Sequence, residues 1–256
     1  MLLDYHIHAV AHGEYQYSWE WIKQFVEKAR SKKLIEIGFT EHDEYLGDID
    51  FRLIEAIRQK YDDINIKIGL EVDYWEGREK EIRQLLACYP FDYVIGSIHY
   101  IDGWAFDHPD HRGRFDQVDI DEVYARYYQL LDRMVNSRLF TVVGHIDLVK
   151  KWGHRPIKHD LHYYSQEVLN SIKKLDLTVE INTAGLRKPV GQMYPDPDQL
   201  AFMAEMKIPV TIASDAHHPS EVGMGVTEAA RAAWTAGFRE IASFSRGRRI
   251  MLPLVC

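Results

Sequence analysis

The run TIASDAHHPS, residues 211–220, decides how this chain is read. An apolar stretch of the kind that fills a core stops abruptly at Asp215, Ala216, His217 and His218. A buried strand that ends in a carboxylate and two imidazoles needs a reason, since such groups are costly to bury without partners. Working outward, six other apolar runs read as strands: Leu2–His6, Ile35–Thr40, Ile66–Val72, Tyr93–Ile98, Thr141–Ile146 and Thr178–Asn182, with Val210–Ser214 as the seventh. Most are apolar on consecutive positions, the pattern of strands covered on both faces.

Helical patterns separate these strands. Ser18 is positioned to cap a helix that runs to about Lys32. Further helices are expected at about 50–61, 78–88, 121–137, 161–175, 198–207 and 227–236, and no element is assigned after Ala236. Repeated strand–helix alternation means a parallel sheet. At 256 residues a closed or nearly closed barrel is the natural α/β architecture, with a doubly wound open sheet as the alternative. In a barrel the C-terminal strand ends share one face, where catalytic groups gather.

Every expected strand ends in residues of metal-ligand type. The first supplies Asp4, His6 and His8; the second Glu41, His42 and Asp43; the third Glu71 and Asp73; the fourth His99. The fifth supplies His145 and Asp147, the sixth Glu180 and Asn182, and the seventh Asp215 and His217. A lone strand-end histidine is commonly a hydrogen-bonded surface residue. Seven coincident endings converging on one face point instead to metal. His6 and His8 stand two apart in an extended strand and so face the same side, and the same alternation is expected for Asp215 and His217. Imidazole and carboxylate donors without thiolate suit zinc, manganese or ferrous iron. Their number exceeds one tetrahedral site and fits two or three ions, a carboxylate bridging a close pair.

Composition narrows the partners. Net charge is −8 with 46% hydrophobic residues, a balance that argues against a nucleic-acid-binding face. The two cysteines, Cys88 and Cys256, lack CxxC spacing and read as reduced thiols of a cytoplasmic protein. The N-terminal MLLDYHIHAV is no signal peptide, and no run is long enough to span a membrane.

The ordered set HIH, EHD, a strand-end Glu71, GSIHY, GHID and SDAH resembles the PHP (polymerase and histidinol phosphatase) superfamily. FDYVIGSIHY, DHPDH, GHIDLVKKWGHR and NTAGLRKP are similar to segments of its histidinol-phosphate phosphatases, and the likeness covers essentially the whole chain. The resemblance implies a single PHP domain over residues 1–256, a distorted (β/α)7 barrel with a trinuclear metal site at the strand C-termini. It implies one metal on His6, His8, Glu71 and Asp215, a second on Glu71, His99 and His145, and a third on His42, His217 and a residue of the loop AVAHGEY. In that loop His12 is the first choice and Glu14 the alternative.

The implied activity is hydrolysis of L-histidinol phosphate to L-histidinol and phosphate in histidine biosynthesis, by in-line attack of a hydroxide bridging the metal pair. Asp215, Glu71 and His217 form the implied catalytic set. Arg187 and Arg155 are candidate phosphate forks because guanidinium matches phosphate bidentately. Lys150, Lys151, His108 and His111 are further candidates for substrate contact, each weighed against an ordinary solvated charge. Glu41, Asp43 and Asp147 read as partners that orient ligand imidazoles. His154, His159, His162 and His218 are assigned no role. Competing readings are another PHP phosphoesterase, acting on phosphotyrosine, nucleotides or DNA, and a metal-holding module without catalysis. The oligomeric state is not legible.

Overall fold

Consecutive apolar residues need cover on both faces, and helices laid over a parallel sheet supply it. The computed structural model describes residues 2–87 and 89–255, so both cysteines lie outside the described residues. In chain order the strands are β1 (Leu3–Ile7), β2 (Glu36–His42), β3 (Asn65–Asp73), β4 (Tyr93–Ser97), β5 (Tyr100–Ile101), β6 (Trp104–Ala105), β7 (Val142–Val143), β8 (Thr178–Asn182), β9 (Val210–Ala213), β10 (Glu240–Ser245) and β11 (Arg248–Pro253). The helices are α1 (Trp19–Ser31), α2 (Phe51–Lys60), α3 (Glu79–Ala87), α4 (Ile120–Asn136), α5 (Leu161–Leu175), α6 (Pro197–Glu205) and α7 (Val226–Ala236). Side chains of Ser18, Asp50, Asp119, Asp160 and Asp196 accept backbone N–H groups at five of the helix starts.

Seven strands form one parallel sheet in the order β1-β2-β3-β4-β7-β8-β9. Its two edges meet just past β9. There Ala216 pairs in parallel with Ile7, the His8 N–H donating to Ala216 O at 2.8 Å and the Ala216 N–H to His6 O at 3.1 Å. This bridge makes the sheet a nearly closed barrel and sets aside the doubly wound alternative. It also falls between the two histidines of HIH on one side and between Asp215 and His217 on the other.

Three strands stop earlier than their sequences suggest, β4 by one residue at Ser97. β7 keeps only Val142 and Val143 in the ladder, although the Gly144 N–H still reaches Gly96 O at 2.9 Å. β9 ends at Ala213 because Asp215 takes a left-handed backbone, φ 55°. The expected extended alternation of Asp215 and His217 is therefore wrong. A left-handed turn brings them to the same mouth, and it is carried by a residue type that tolerates that region better than most.

The hairpin β10–β11 was not anticipated. Its turn is Arg246-Gly247, both at positive φ (50° and 73°), as tight hairpins require. β10 packs at the end of the barrel away from the histidines. Ser243 Oγ donates to Glu36 at 2.7 Å, and Tyr5 bonds both Glu36 and Ser243.

Above this floor Tyr93 of β4 crosses the barrel interior and donates to Tyr5 O at 2.7 Å. It fits because two neighbouring strands carry glycine beside it. A Cβ at Gly38 would lie 1.8 Å from the Tyr93 hydroxyl oxygen, and one at Gly69 2.5 Å from its ring. Gly38→Ala should therefore destabilise the fold by about 1–3 kcal/mol or more through overpacking. Gly47→Ala, where nothing lies within 4 Å, is the control in thermal denaturation.

Candidate metal centre

The centre is built around Glu71 of β3, which is 1% exposed. Its Oε2 lies 2.9 Å from His42 Nδ1, 3.2 Å from His6 Nε2 and 3.5 Å from His8 Nε2. Its Oε1 lies 3.0 Å from His145 Nε2 and 3.7 Å from His99 Nε2, and accepts the Ser97 hydroxyl at 2.6 Å. Parallel register explains the convergence, since Glu71 sits level with His42 on β2 and with Ile95 on β4. Burial pushes the Glu71 pKa up, but His6, His42 and His99 outweigh it and hold the carboxylate well below its ordinary value.

A layer of carboxylates aims the imidazoles. Glu180 accepts His6 Nδ1 at 2.6 Å through one oxygen and the His145 backbone N–H at 2.9 Å through the other. Asp73 holds His99 Nδ1. Burial lowers the His99 pKa, but Asp73 and Glu71 overcome that and raise it to about 10. Such partners fix which ring nitrogen faces the centre. These two residues, present among the strand endings, perform the orienting task expected of Glu41, Asp43 and Asp147. Glu41 instead accepts the backbone N–H groups of Ala9 and Val10 and the Tyr17 hydroxyl, shaping the loop after β1. Asp43 pairs with Arg78 and accepts the Asp73 N–H, and Asp147 pairs with Lys150.

Three groups of ligand atoms lie within 4.8 Å of one another: His6, His8 and Glu71; His42, Glu71 and His99; and His8, His42 and His217. Asp215 Oδ1 stands 3.6 Å from both His8 Nε2 and His217 Nδ1. Among the described residues, buried nitrogens at His6 Nε2, His42 Nε2, His145 Nδ1, His217 Nε2 and both positions of His8 have no hydrogen-bond partner. Unpaired buried imidazole nitrogens beside carboxylates fit divalent cations. The grouping differs in two respects from the implied ligand sets: His8 completes the group around His42 and His217, and His42 rather than His145 joins Glu71 and His99. His12 is exposed at the mouth, its ring 5.4 Å from that of His42 and 4.7 Å from that of His217. Glu14 turns back to accept the His12 N–H at 2.5 Å.

The centre opens into a cavity of 430 Å³ whose wall includes His12, Asp107, Lys151, Arg187, Tyr194 and His217. Arg187 is held by Ser214 O at 2.9 Å and Asp215 O at 3.1 Å.

Residues 4–184 match the PHP domain family, and residues 199–236 match the PHP-associated family. A probable histidinol-phosphatase of Deinococcus radiodurans is 36% identical over 202 residues, 77% of this chain and 74% of that protein. The histidinol-phosphatase of Lactococcus lactis is 30% identical over 268 residues, 95% of this chain and 94% of the relative. The chain belongs to the histidinol-phosphatase family of PHP proteins. The crystal structure of the Lactococcus lactis histidinol phosphate phosphatase, complexed with zinc, L-histidinol and phosphate, superimposes with a TM-score of 0.80 at 24% identity, covering 97% of this chain and 98% of that one.

Four substrate-contact candidates of this PHP chain, Arg155, Lys150, His108 and His111, fall outside the cavity, His111 lining a separate surface depression with Trp104 and Arg114. Arg155 pairs with Asp196 at 3.1 Å and with Gln192, and lines a separate depression. Lys150 is 0% exposed, its ammonium bonded to Asp147 at 2.7 Å and Met193 O at 2.8 Å. His108 is a solvent-facing residue that accepts the Asp110 N–H at 3.3 Å and starts a 3-10 turn. Asp107 and Tyr194 in the wall were not singled out from sequence, as neither belongs to a strand ending. His218 borders the cavity but caps its own turn, accepting the Ser220 N–H at 3.2 Å.

Glu71→Gln should lose the ions that depend on the bridging carboxylate. Glu76→Gln should retain them, because Glu76 is engaged by Arg126 and Arg133 at the surface. Metal analysis of the two purified variants separates these outcomes. Anomalous diffraction checks the other end of the cluster. His217→Ala should lose occupancy near His42 and keep the ions on Glu71, Asp215→Asn should disturb the pair, and His218→Ala should bind metal as the parent does.

Proposed function

We infer that this chain is a metal-dependent phosphatase that hydrolyses L-histidinol phosphate to L-histidinol and phosphate. The observation that carries the reading is Glu71 surrounded by five imidazoles at the base of a cavity whose wall carries Arg187 and Lys151. The family supports the substrate: the relatives are named histidinol-phosphatases, and one was crystallised with zinc, L-histidinol and phosphate.

Divalent ions bound by the cluster would supply Lewis acidity toward phosphoryl oxygens and lower the pKa of water to near neutrality. The protein's own groups do the rest. Arg187, its Nη2 braced against the 214–215 backbone, is placed to offer Nη1 to a phosphate oxygen and offset its charge. Asp215 stands between His8 and His217 with its second oxygen accepting Asn182 Nδ2 at 3.2 Å, and is the carboxylate best placed to handle a proton at the reacting centre. The Asp107 carboxylate, 3.3 Å from the Lys151 ammonium, adds a negative group to the wall that complements a substrate ammonium.

The reading takes residues 1–256 as one PHP domain, its partner as a small phosphate monoester and its location as cytoplasmic. Among the described residues no helix is long and apolar enough to cross a membrane.

A phosphate-release panel tests the function. With metal restored after chelation, turnover of L-histidinol phosphate should far exceed that of phosphotyrosine and nucleotides, and chelation should abolish it. Full activity at less than one metal per chain would overturn the mechanism, and a preference for phosphotyrosine the substrate. Arg187→Ala should lower kcat/KM by about tenfold or more, in line with about 1.5–3 kcal/mol for a hydrogen bond to a charged group.

A further inference from the structure

Outside the imidazole cluster, several buried side-chain atoms lack a hydrogen-bond partner among the described residues. Only two of them, Arg187 Nη1 and the Tyr194 hydroxyl, belong to the wall of the metal-centre cavity. An unpaired buried polar group is destabilising, so two on one cavity wall ask what they face.

Tyr194 is firmly seated. Its N–H donates to Asn182 O at 2.9 Å and its carbonyl accepts the Asn182 N–H at 2.7 Å, at the end of β8. Its ring lies over Gly185, where a Cβ would stand 3.0 Å from Tyr194 Cζ. The Lys150 ammonium lies 5.5 Å from the ring centroid, and the His145 imidazole 6.3 Å away, centroid to centroid. Backbone pairing, the glycine floor and the buried Lys150–Asp147 pair all fix this ring beside a candidate metal ligand. Burial, with Asp147, Asp215 and Asp107 nearby, pushes the phenol pKa up. The hydroxyl therefore keeps its proton and serves as a donor. Arg187 can only donate. Two fixed donors on one wall complement an oxyanion.

We propose that the Tyr194 hydroxyl and Arg187 Nη1 form a donor pair that grips a phosphoryl oxygen of the bound ester, which makes Tyr194 a further catalytic residue. The proposal rests on the phosphatase reading. The phenol donates a hydrogen bond that strengthens as charge builds on the phosphoryl oxygen, and it transfers no proton. The buried Lys150, offered from sequence as a substrate contact, acts here as a positioning residue beneath the ring.

Tyr194→Phe tests this, because it removes only a hydroxyl that has no hydrogen-bond partner among the described residues. Melting temperature and metal content should equal or exceed those of the parent. Inorganic phosphate, titrated calorimetrically into the metal-loaded protein, should bind about tenfold more weakly, the scale of one charge-assisted hydrogen bond. The kcat/KM for L-histidinol phosphate should fall by a similar factor. Unchanged phosphate binding and kinetics would overturn the proposal. So would a lower melting temperature or lost metal, which would make the hydroxyl structural. A parent enzyme that binds phosphate but leaves L-histidinol phosphate intact would overturn the substrate assignment instead, and the phosphate titration would still judge Tyr194.

Discussion

A single carboxylate, Glu71, governs how the upper half of this molecule is organised. It is removed from water, and a buried carboxylate is tolerable only where positive charge or strong donors surround it. Five imidazoles and the Ser97 hydroxyl answer that demand, and they come from β1, β2, β4 and the segments that follow β1, β4 and β7. No helix or local loop could assemble such a set from sequence neighbours. The barrel can, because its strands run parallel and finish at one level. Protons and metal ions compete for the same nitrogens here. The His6 and His42 pKa values are both raised, Glu180 and Glu71 in the one case and Glu71 in the other outweighing the effect of burial. The environment that welcomes a proton is the one that would welcome a divalent cation, so metal uptake must release protons.

Behind the imidazoles, buried carboxylates set the course of the loops that form the walls. Asp147 and Lys150 are both 0% exposed, and Asp147 also accepts the Asp196 N–H at 2.8 Å while Lys150 caps Met193 O. That pair ties the segment after β7 to the segment before α6, and Tyr194 lies between them. Glu41 does the corresponding work for the loop after β1. Buried charges that satisfy backbone groups in this way define loop geometry more than they add stability.

The sequence conveyed the barrel and its mouth well for a physical reason. Strand ends are set by hydrophobic runs, and the direction of a parallel strand dictates which end is functional. Glu71, His6, His8, His42, His99, His145, Asp215 and His217 were legible on that basis alone. Loop side chains carry no such rule. Lys150 and Arg155 have phosphate-binding chemistry, yet the first turns inward to Asp147 and the second pairs with Asp196, partners chosen by the packing of distant segments. The alternation argument failed at Asp215 because a single left-handed residue resets the register. The final hairpin was missed because its arginine-rich turn and half-exposed β11 dilute the strand signal. Tyr194 went unnoticed because an aromatic residue in a loop reads as packing until its hydroxyl is seen to lack a partner.

The bridge between Ile7 and Ala216 has a consequence for the order of assembly. Asp4, near the start of the chain, accepts both the N–H and the hydroxyl of Ser214, 210 residues later, and the Gly223 N–H as well. Contacts of such separation form late in folding, since the intervening chain must be ordered first. A growing polypeptide presents His6, His8, His42 and Glu71 long before Asp215 and His217 exist to complete the cluster. The donor set is therefore complete only once the last parallel strand docks on the first, and metal held by the whole set would report that the ring has closed.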